Sequence, residues 1–301
     1  MKLNGKNPKC LICNGSNVKS FEALTSGFIT ERMYSGAEQQ TKLFHCLDCG
    51  FAYYELRPDK TDMDKLYKGY RNSDYQKQRQ KYDCWYNEKI NSAIGNNPVE
   101  VKTRKSNLSD ILEKNIEINN IKTILDFGGD KGQYIPDLSR NTQKFVYDIS
   151  GVRTLENIEK ISDFDFLKNY SFDLIMCNHV LEHLSEPEKT IEDLKVFLNP
   201  TGYIYLELPF DSPFYKKKFS NLKFLFNKYF KWSDIFKHYL NMRKGAKYFH
   251  MQEHINFFTQ ESIEIMLKFL GFNVISNEIR NIDCGWQKSD FICVLAKMKN
   301  D

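Results

Sequence analysis

At 301 residues, with 41% hydrophobic and 27% charged residues, the chain holds enough apolar material for one large domain plus a small one. A net charge of +4 is too mild to call for nucleic acid as a partner. No apolar run approaches eighteen residues and the N-terminus lacks a signal-peptide core, so a cytoplasmic location is expected, where eight cysteines read as metal ligands or core residues rather than disulfides.

Residues 1–56 form the first expected unit. Cys10-x2-Cys13 and Cys46-x2-Cys49 are two knuckles whose four thiolates can close a tetrahedral zinc site, with Gly15 and Gly50 just past the knuckles where the chain must turn tightly. Four protein ligands leave no open position, so the zinc is expected to be structural. His45 adjoins Cys46 and reads as a neighbour rather than a ligand. The segment joining the knuckles has little helical periodicity and is expected to be a loop. Residues 57–105 are polar and tyrosine-rich, helical in part between Lys65 and Ile90, and end at Gly95-Asn96-Asn97-Pro98; this is the expected arm towards a substrate. Ser109–Ile118 is the next expected helix.

From residue 106 to 301, short apolar strands near 122–127, 144–148, 172–177, 202–208, 272–278 and 290–297 alternate with helical segments. That rhythm predicts an α/β, Rossmann-like fold with a mostly parallel sheet and helices on both faces. Ile124-Leu125-Asp126-Phe127-Gly128-Gly129-Asp130-Lys131-Gly132 is strand, acid and glycine-rich turn, and Lys144-Phe145-Val146-Tyr147-Asp148 is a second strand ending in an acid. Glycine lets the backbone approach a ligand, and an acid at the second strand tip can accept hydrogen bonds from ribose hydroxyls. Between Pro209 and His250 the chain inserts about forty residues where a short connection suffices. Leu222, Leu225, Phe226, Tyr229, Phe236, Tyr239 and Leu240 keep helical spacing there, and ten Lys or Arg stand against one acid, Asp234, between 216 and 247. The insertion at 210–250 is expected to be a helical lid with a basic face. That face is solvated, or receives the phosphates of a substrate, or, less favoured, rests on a membrane surface.

Together with Phe172-Asp173-Leu174-Ile175-Met176-Cys177-Asn178-His179-Val180-Leu181-Glu182-His183-Leu184 and Leu198-Asn199-Pro200-Thr201-Gly202-Tyr203-Ile204-Tyr205, these motifs resemble class I S-adenosylmethionine-dependent methyltransferases over residues 106–301. The resemblance implies that Asp126, Gly128, Gly129, Gly132 and Asn178 surround the methionine part of S-adenosylmethionine. It further implies Asp148 on the ribose, and Asp163 and Phe164 about the adenine, with Asp165 an equal candidate for the acid. Family members usually carry glycine where Asp130 stands, so its carboxylate must point outward or meet the cofactor's ammonium.

For the acceptor, His179 and His183 flank Glu182 at the end of a strand, where open α/β sheets bind ligands, and Glu253-His254 lies just beyond the insertion. A Glu-His pair there, with an N-terminal zinc module, resembles bacterial methyltransferases of sugars and nucleotide-linked sugars. In that reading His254 is the base, Glu253 orients it or binds a substrate hydroxyl, and His183 assists, while Tyr67, Tyr70 and Tyr75 face the acceptor. Related C-methyltransferases carry a further C-terminal domain, so O-methylation is expected. No second cluster of carboxylates and histidines is evident, and metal assistance at the acceptor is not expected. The alternatives are an RNA methyltransferase with a zinc module, or a cofactor-binding protein without catalysis. The oligomeric state is open.

Overall fold

The computed structural model describes residues 8–138, 141–215, 248–285 and 287–299. The chain opens with strand β1 (Val18–Thr25), helix α1 (Gly27–Met33) and strands β2 (Gln40–Cys46) and β3 (Ala52–Tyr54). Three short helices follow: α2 (Lys60–Tyr67), α3 (Ser73–Tyr82) and α4 (Glu88–Ala93). Each starts where a polar side chain satisfies an orphan amide of the first turn: Asp59, Asn72 and Asn87. Helix α5 (Pro98–Asn115) is capped by Asn97, with proline in the first turn where its missing N–H costs nothing. It begins well before the helix expected at 109–118, and the boundary expected at 105 falls inside it. Glu100 and Arg104 occupy buried positions on α5 where an apolar pattern would otherwise have announced the helix.

The remaining elements are β4 (Thr123–Phe127), β5 (Gln143–Tyr147), β6 (Glu159–Ile161), β7 (Phe172–Asn178), α6 (Pro187–Lys195), β8 (Leu198–Pro209), β9 (Phe249–Met251), β10 (Asn256–Phe257), α7 (Gln260–Phe269), β11 (Phe272–Asp283) and β12 (Lys288–Met298). Seven of the strands form one sheet in the order β11-β12-β8-β7-β4-β5-β6. It is parallel from β8 to β6, while β12 and β11 run antiparallel. Successive residues feed opposite cores, because strand side chains alternate between faces. Leu125, Phe127, Ile175 and Cys177 face α6 and α7, and Ile124, Leu174 and Met176 face α5. With both faces covered, most of these strands carry a short apolar run, which made them legible. The six strands expected in this region are all present; β6, three residues with two of them charged, had no such signal.

The residues between the cysteine knuckles are not the loop expected from their lack of helical periodicity. They carry β1, α1 and β2, and the two strands join β3, β9 and β10 in a second, five-stranded sheet in the order β10-β3-β2-β1-β9. Val18 through Leu24 pair antiparallel with Cys46 through Gln40, β9 adds in parallel to β1, and β10 adds to β3. The N-terminal region and the segment carrying His254 therefore share one hydrogen-bonded sheet. Of the expected lid, residues 216–247 lie outside the described residues. Its first turn packs on the N-terminal sheet, with Phe214 stacked on His45 at 4.1 Å between centroids and also against Phe21. Among the described residues no helix is long and apolar enough to cross a membrane.

Candidate active site

The chain leaves β4 for β5 on one side and returns to β7 on the other, so β4 and β7 flank the topological switch point, where open α/β sheets take their ligands. A cavity of about 1310 Å³ opens there, large enough for two ligands side by side. At its floor Asp126 is fully buried, and neither carboxylate oxygen has a hydrogen-bond partner. Burial pushes its carboxyl up to about 7, against the pull of Arg104 and with Asp148 adding to the rise. Gly129 lies directly against it: a Cβ there would stand 2.4 Å from the Asp126 Cγ. Gly128 has φ +72°, and a Cβ would meet Val180 at 2.5 Å. The turn thus presents backbone and a bare buried carboxylate to the cavity.

Asp148, at the tip of β5, accepts hydrogen bonds from the amides of Asp130 (2.9 Å) and Ser150 (2.7 Å), which hold its carboxylate on the cavity wall. Asp130 is one of the few non-glycine residues with a left-handed backbone, at φ 54°. Its side chain points away from the floor and pairs with Arg71 at 2.9 Å, which ties the segment between α2 and α3 to the glycine turn. Asn178 ends β7 on the wall with its Oδ1 unpaired. Three expected cofactor residues stand elsewhere. Gly132 packs below the turn against Ile158 and Val146. Asp163 is exposed and caps the turn after β6 through the Asp165 amide, and Phe164 packs on Phe127, Tyr147 and Phe197. None of the three lines the cavity.

The opposite wall is built from the loop after β7 and the segment between β9 and β10. The amides of Ile255 and Asn256 donate to the Glu182 carbonyl (2.8 and 3.0 Å), and Asn256 Nδ2 donates to the carbonyls of Leu181 and Leu184. Buried Arg57 donates to the carbonyls of Leu184 and Ser185 and to Asn256 Oδ1. This lacing brings Glu182, His183 and His254 together, a cluster the sequence did not disclose because 70 residues separate its parts. His183 Nδ1 lies 3.0 Å from the Glu253 carbonyl and 3.2 Å from the Tyr67 hydroxyl. His254 Nδ1 bonds Asp211 Oδ2 at 2.7 Å.

Glu253 does not orient His254 as expected. Its carboxylate accepts from Tyr75 (2.6 Å) and pairs with Arg79 (2.5 Å), both on α3, so the alternating geometry at the Glu-His step sends the two side chains to different partners. Asp211 takes the orienting role. Its only sequence signal was position, an acid two residues beyond the end of a strand parallel to β7. Neither imidazole keeps the ordinary histidine value. Burial would lower His254, but the hydrogen bond and charge of Asp211, with Glu182 and Glu253, raise it to about 9. Burial keeps His183 below its usual value despite Glu182. Glu182 is held down to about 2, its burial outweighed by His179 and the neighbouring imidazoles. Tyr67 and Tyr70 line the cavity, and Tyr75 is buried behind Glu253.

On the far side of the N-terminal sheet the four sulfurs of Cys10, Cys13, Cys46 and Cys49 lie within 4.8 Å of one another. Cys10 and Cys49 are 3.6 Å apart, Cys13 and Cys46 3.5 Å. A zinc tetrahedron with bonds of about 2.3 Å sets its sulfurs roughly 3.8 Å apart, so the donor set fits. His45 is engaged with Phe214 and takes no part.

A family model described as a methyltransferase domain matches residues 101–277, more than half of the chain. The chain belongs to the methyltransferase-domain family. Within this methyltransferase domain fall the glycine turn, the switch point and the whole Glu182–His254 wall. No curated protein sequence matches the chain. Among solved structures it is similar to an O-methyltransferase family protein from Burkholderia thailandensis (13% identity, 75% of this chain and 63% of that chain, TM-score 0.43). It is also similar to the 1,6-didemethyltoxoflavin N1-methyltransferase of Burkholderia thailandensis (11% identity, 85% and 99%, TM-score 0.47) and to human N-acetylserotonin methyltransferase (15% identity, 81% and 60%, TM-score 0.46). The chain thus spans under two thirds of the first and third of these.

Proposed function

We propose that the chain transfers a methyl group from S-adenosylmethionine to a hydroxyl of a sugar or nucleotide-linked sugar. The observation that carries this reading is the bare, buried carboxylate of Asp126 beneath the glycine turn, a place made for a cation, sharing one cavity with a wall of polar side chains. An unpaired buried carboxylate is costly, and the ammonium of the cofactor's methionine part would satisfy it. Asp148 has lone pairs to spare after its two amide bonds and is placed to accept from ribose hydroxyls. Bound there, the cofactor supplies a methyl group already activated on a sulfonium. The chain has then to hold the acceptor oxygen in line, exclude water and manage the hydroxyl proton. Glu182, His183, Asp211 and His254 offer the acceptor a dense set of hydrogen-bonding groups suited to a polyhydroxylated ligand. The Cys10, Cys13, Cys46 and Cys49 cluster holds one structural zinc ion.

Two binding measurements test the cofactor half. Because Asp126 binds a cation only when ionised, S-adenosylhomocysteine affinity should rise with pH through about 7 as its carboxyl loses its proton. In Asp126→Asn affinity should be weak and this pH dependence absent; calorimetry at pH 6 and pH 8 reads both. A wild-type protein that stays folded and fails to bind the ligand at either pH ends the proposal. Separately, Asp148→Ala should weaken binding by about 1.5–3 kcal/mol, the worth of hydrogen bonds to a charged group. An unchanged Kd would place the ribose elsewhere.

A further inference from the structure

We infer that Glu182, His183 and His254 form a second metal site, for a divalent transition-metal ion, on the acceptor wall of the cavity. Each of the three offers a ligand atom within 4.8 Å of the other two, and all three line the cavity.

Glu182 supplies the independent sign of a missing cation. Its side chain is 1% exposed, and neither oxygen has a hydrogen-bond partner. Its Oε1 is ion-paired with His179 Nδ1 at 3.3 Å and lies 3.9 Å from His183 Nε2, both outside hydrogen-bond geometry, and its Oε2 meets neither ring. A carboxylate at such depth, with one oxygen against imidazoles alone and the other without a hydrogen-bond partner, is a place an ion can complete.

The imidazoles are prepared in the way metal-binding histidines are. A backbone carbonyl can only accept, so the contact of His183 Nδ1 with the Glu253 carbonyl puts the proton on Nδ1 and leaves Nε2 for a ligand bond. The Asp211 carboxylate does the same for His254, leaving its Nε2 as the position an ion would take with release of a proton. Carbonyl and carboxylate are the usual outer partners of metal-bound imidazole. The lacing by Asn256 and Arg57 fixes the two segments against each other, so the donors are positioned before an ion arrives.

Two imidazoles and one carboxylate suit Zn²⁺, Co²⁺, Fe²⁺ or Ni²⁺ and not the all-oxygen preference of Mg²⁺ or Ca²⁺. Three protein ligands also leave room in the coordination sphere for a ligand from the cavity. There an acceptor oxygen would be held and polarised. This use of the open position rests on the methyl-transfer reading; binding of the ion does not.

The test uses the full chain, loaded with one equivalent of zinc for the cysteine cluster and then titrated with Co²⁺. One further equivalent should bind, with weak visible absorption and without the intense thiolate charge-transfer bands of a cysteine site. That equivalent should vanish in Glu182→Gln and in His183→Ala while one zinc per chain remains. A wild type that takes up no Co²⁺, a band of thiolate character, or a band that survives in Glu182→Gln overturns the site. If Glu182→Gln fails to fold by circular dichroism, His254→Gln gives the same readout at the least buried member of the cluster. S-adenosylhomocysteine calorimetry on the same samples separates the two ideas. Cofactor binding without Co²⁺ sinks only the metal site; Co²⁺ without cofactor binding sinks only the methyl-transfer reading.

Discussion

Cys46→Ala is expected to purify with no zinc and with its N-terminal sheet unfolded. Cys46 is the last residue of β2, its sulfur 3.5 Å from that of Cys13, and it is fully buried. Losing one thiolate of four opens the tetrahedron, and metal binding in such small modules is folding free energy, of order 10 kcal/mol in isolated zinc fingers. The effect should travel. Cys10, Cys46 and Cys49 sit in the same apolar core as Phe258 and α7, and β9 and β10 pair with β1 and β3. Thermal unfolding and metal content, measured together, check this. A variant that keeps its metal, or loses it without loss of stability, would make the cluster four unconnected core cysteines.

His254→Ala should lower turnover by roughly 10²–10⁴-fold, the usual worth of a positioned group that handles a proton or an acceptor oxygen, while S-adenosylhomocysteine binds as before. The split follows from geometry: His254 stands on the Glu182 wall, and Asp126 and Asp148 stand at the β4 and β5 tips. Asp211→Asn, which keeps a hydrogen-bond acceptor for Nδ1 but not the charge, should cost less than removing the ring. Equal kcat in His254→Ala and wild type would remove the residue from the reaction. Thermal unfolding must be followed as well, because a folding defect would lower turnover without implicating the ring.

Most of the parallel half of the main sheet was legible because burial on both faces leaves a short apolar run in the strand, as in Leu174-Ile175-Met176; β6, Glu159-Lys160-Ile161, lacks one. The cysteine cluster was legible because ligand spacing is a local property. The N-terminal sheet was not: β1 and β3 find their outer partners about two hundred residues further along the chain, and no local pattern encodes that. The site divides the same way. Asp126 and Asp148 announce themselves at strand tips, whereas Asp211 gains its role only when the loop after β8 meets His254. Arg71 likewise could not be foreseen as the partner of Asp130, since the two are joined by folding of the tyrosine-rich arm over the glycine turn. Glu253 shows the converse error, in which a plausible neighbour in sequence faces elsewhere in space.

The shared sheet has a bearing on how such an enzyme can be trimmed or recombined. A fragment begun at residue 101, where the family match starts, would strip β9 and β10 of β1 and β3 and leave their main-chain edges unpaired. It would also remove Arg57, whose guanidinium anchors the loop bearing Glu182. Chimaeras that exchange acceptor preference between relatives must therefore carry residues 8–57 and 248–258 as one inheritance, although nearly two hundred positions lie between them.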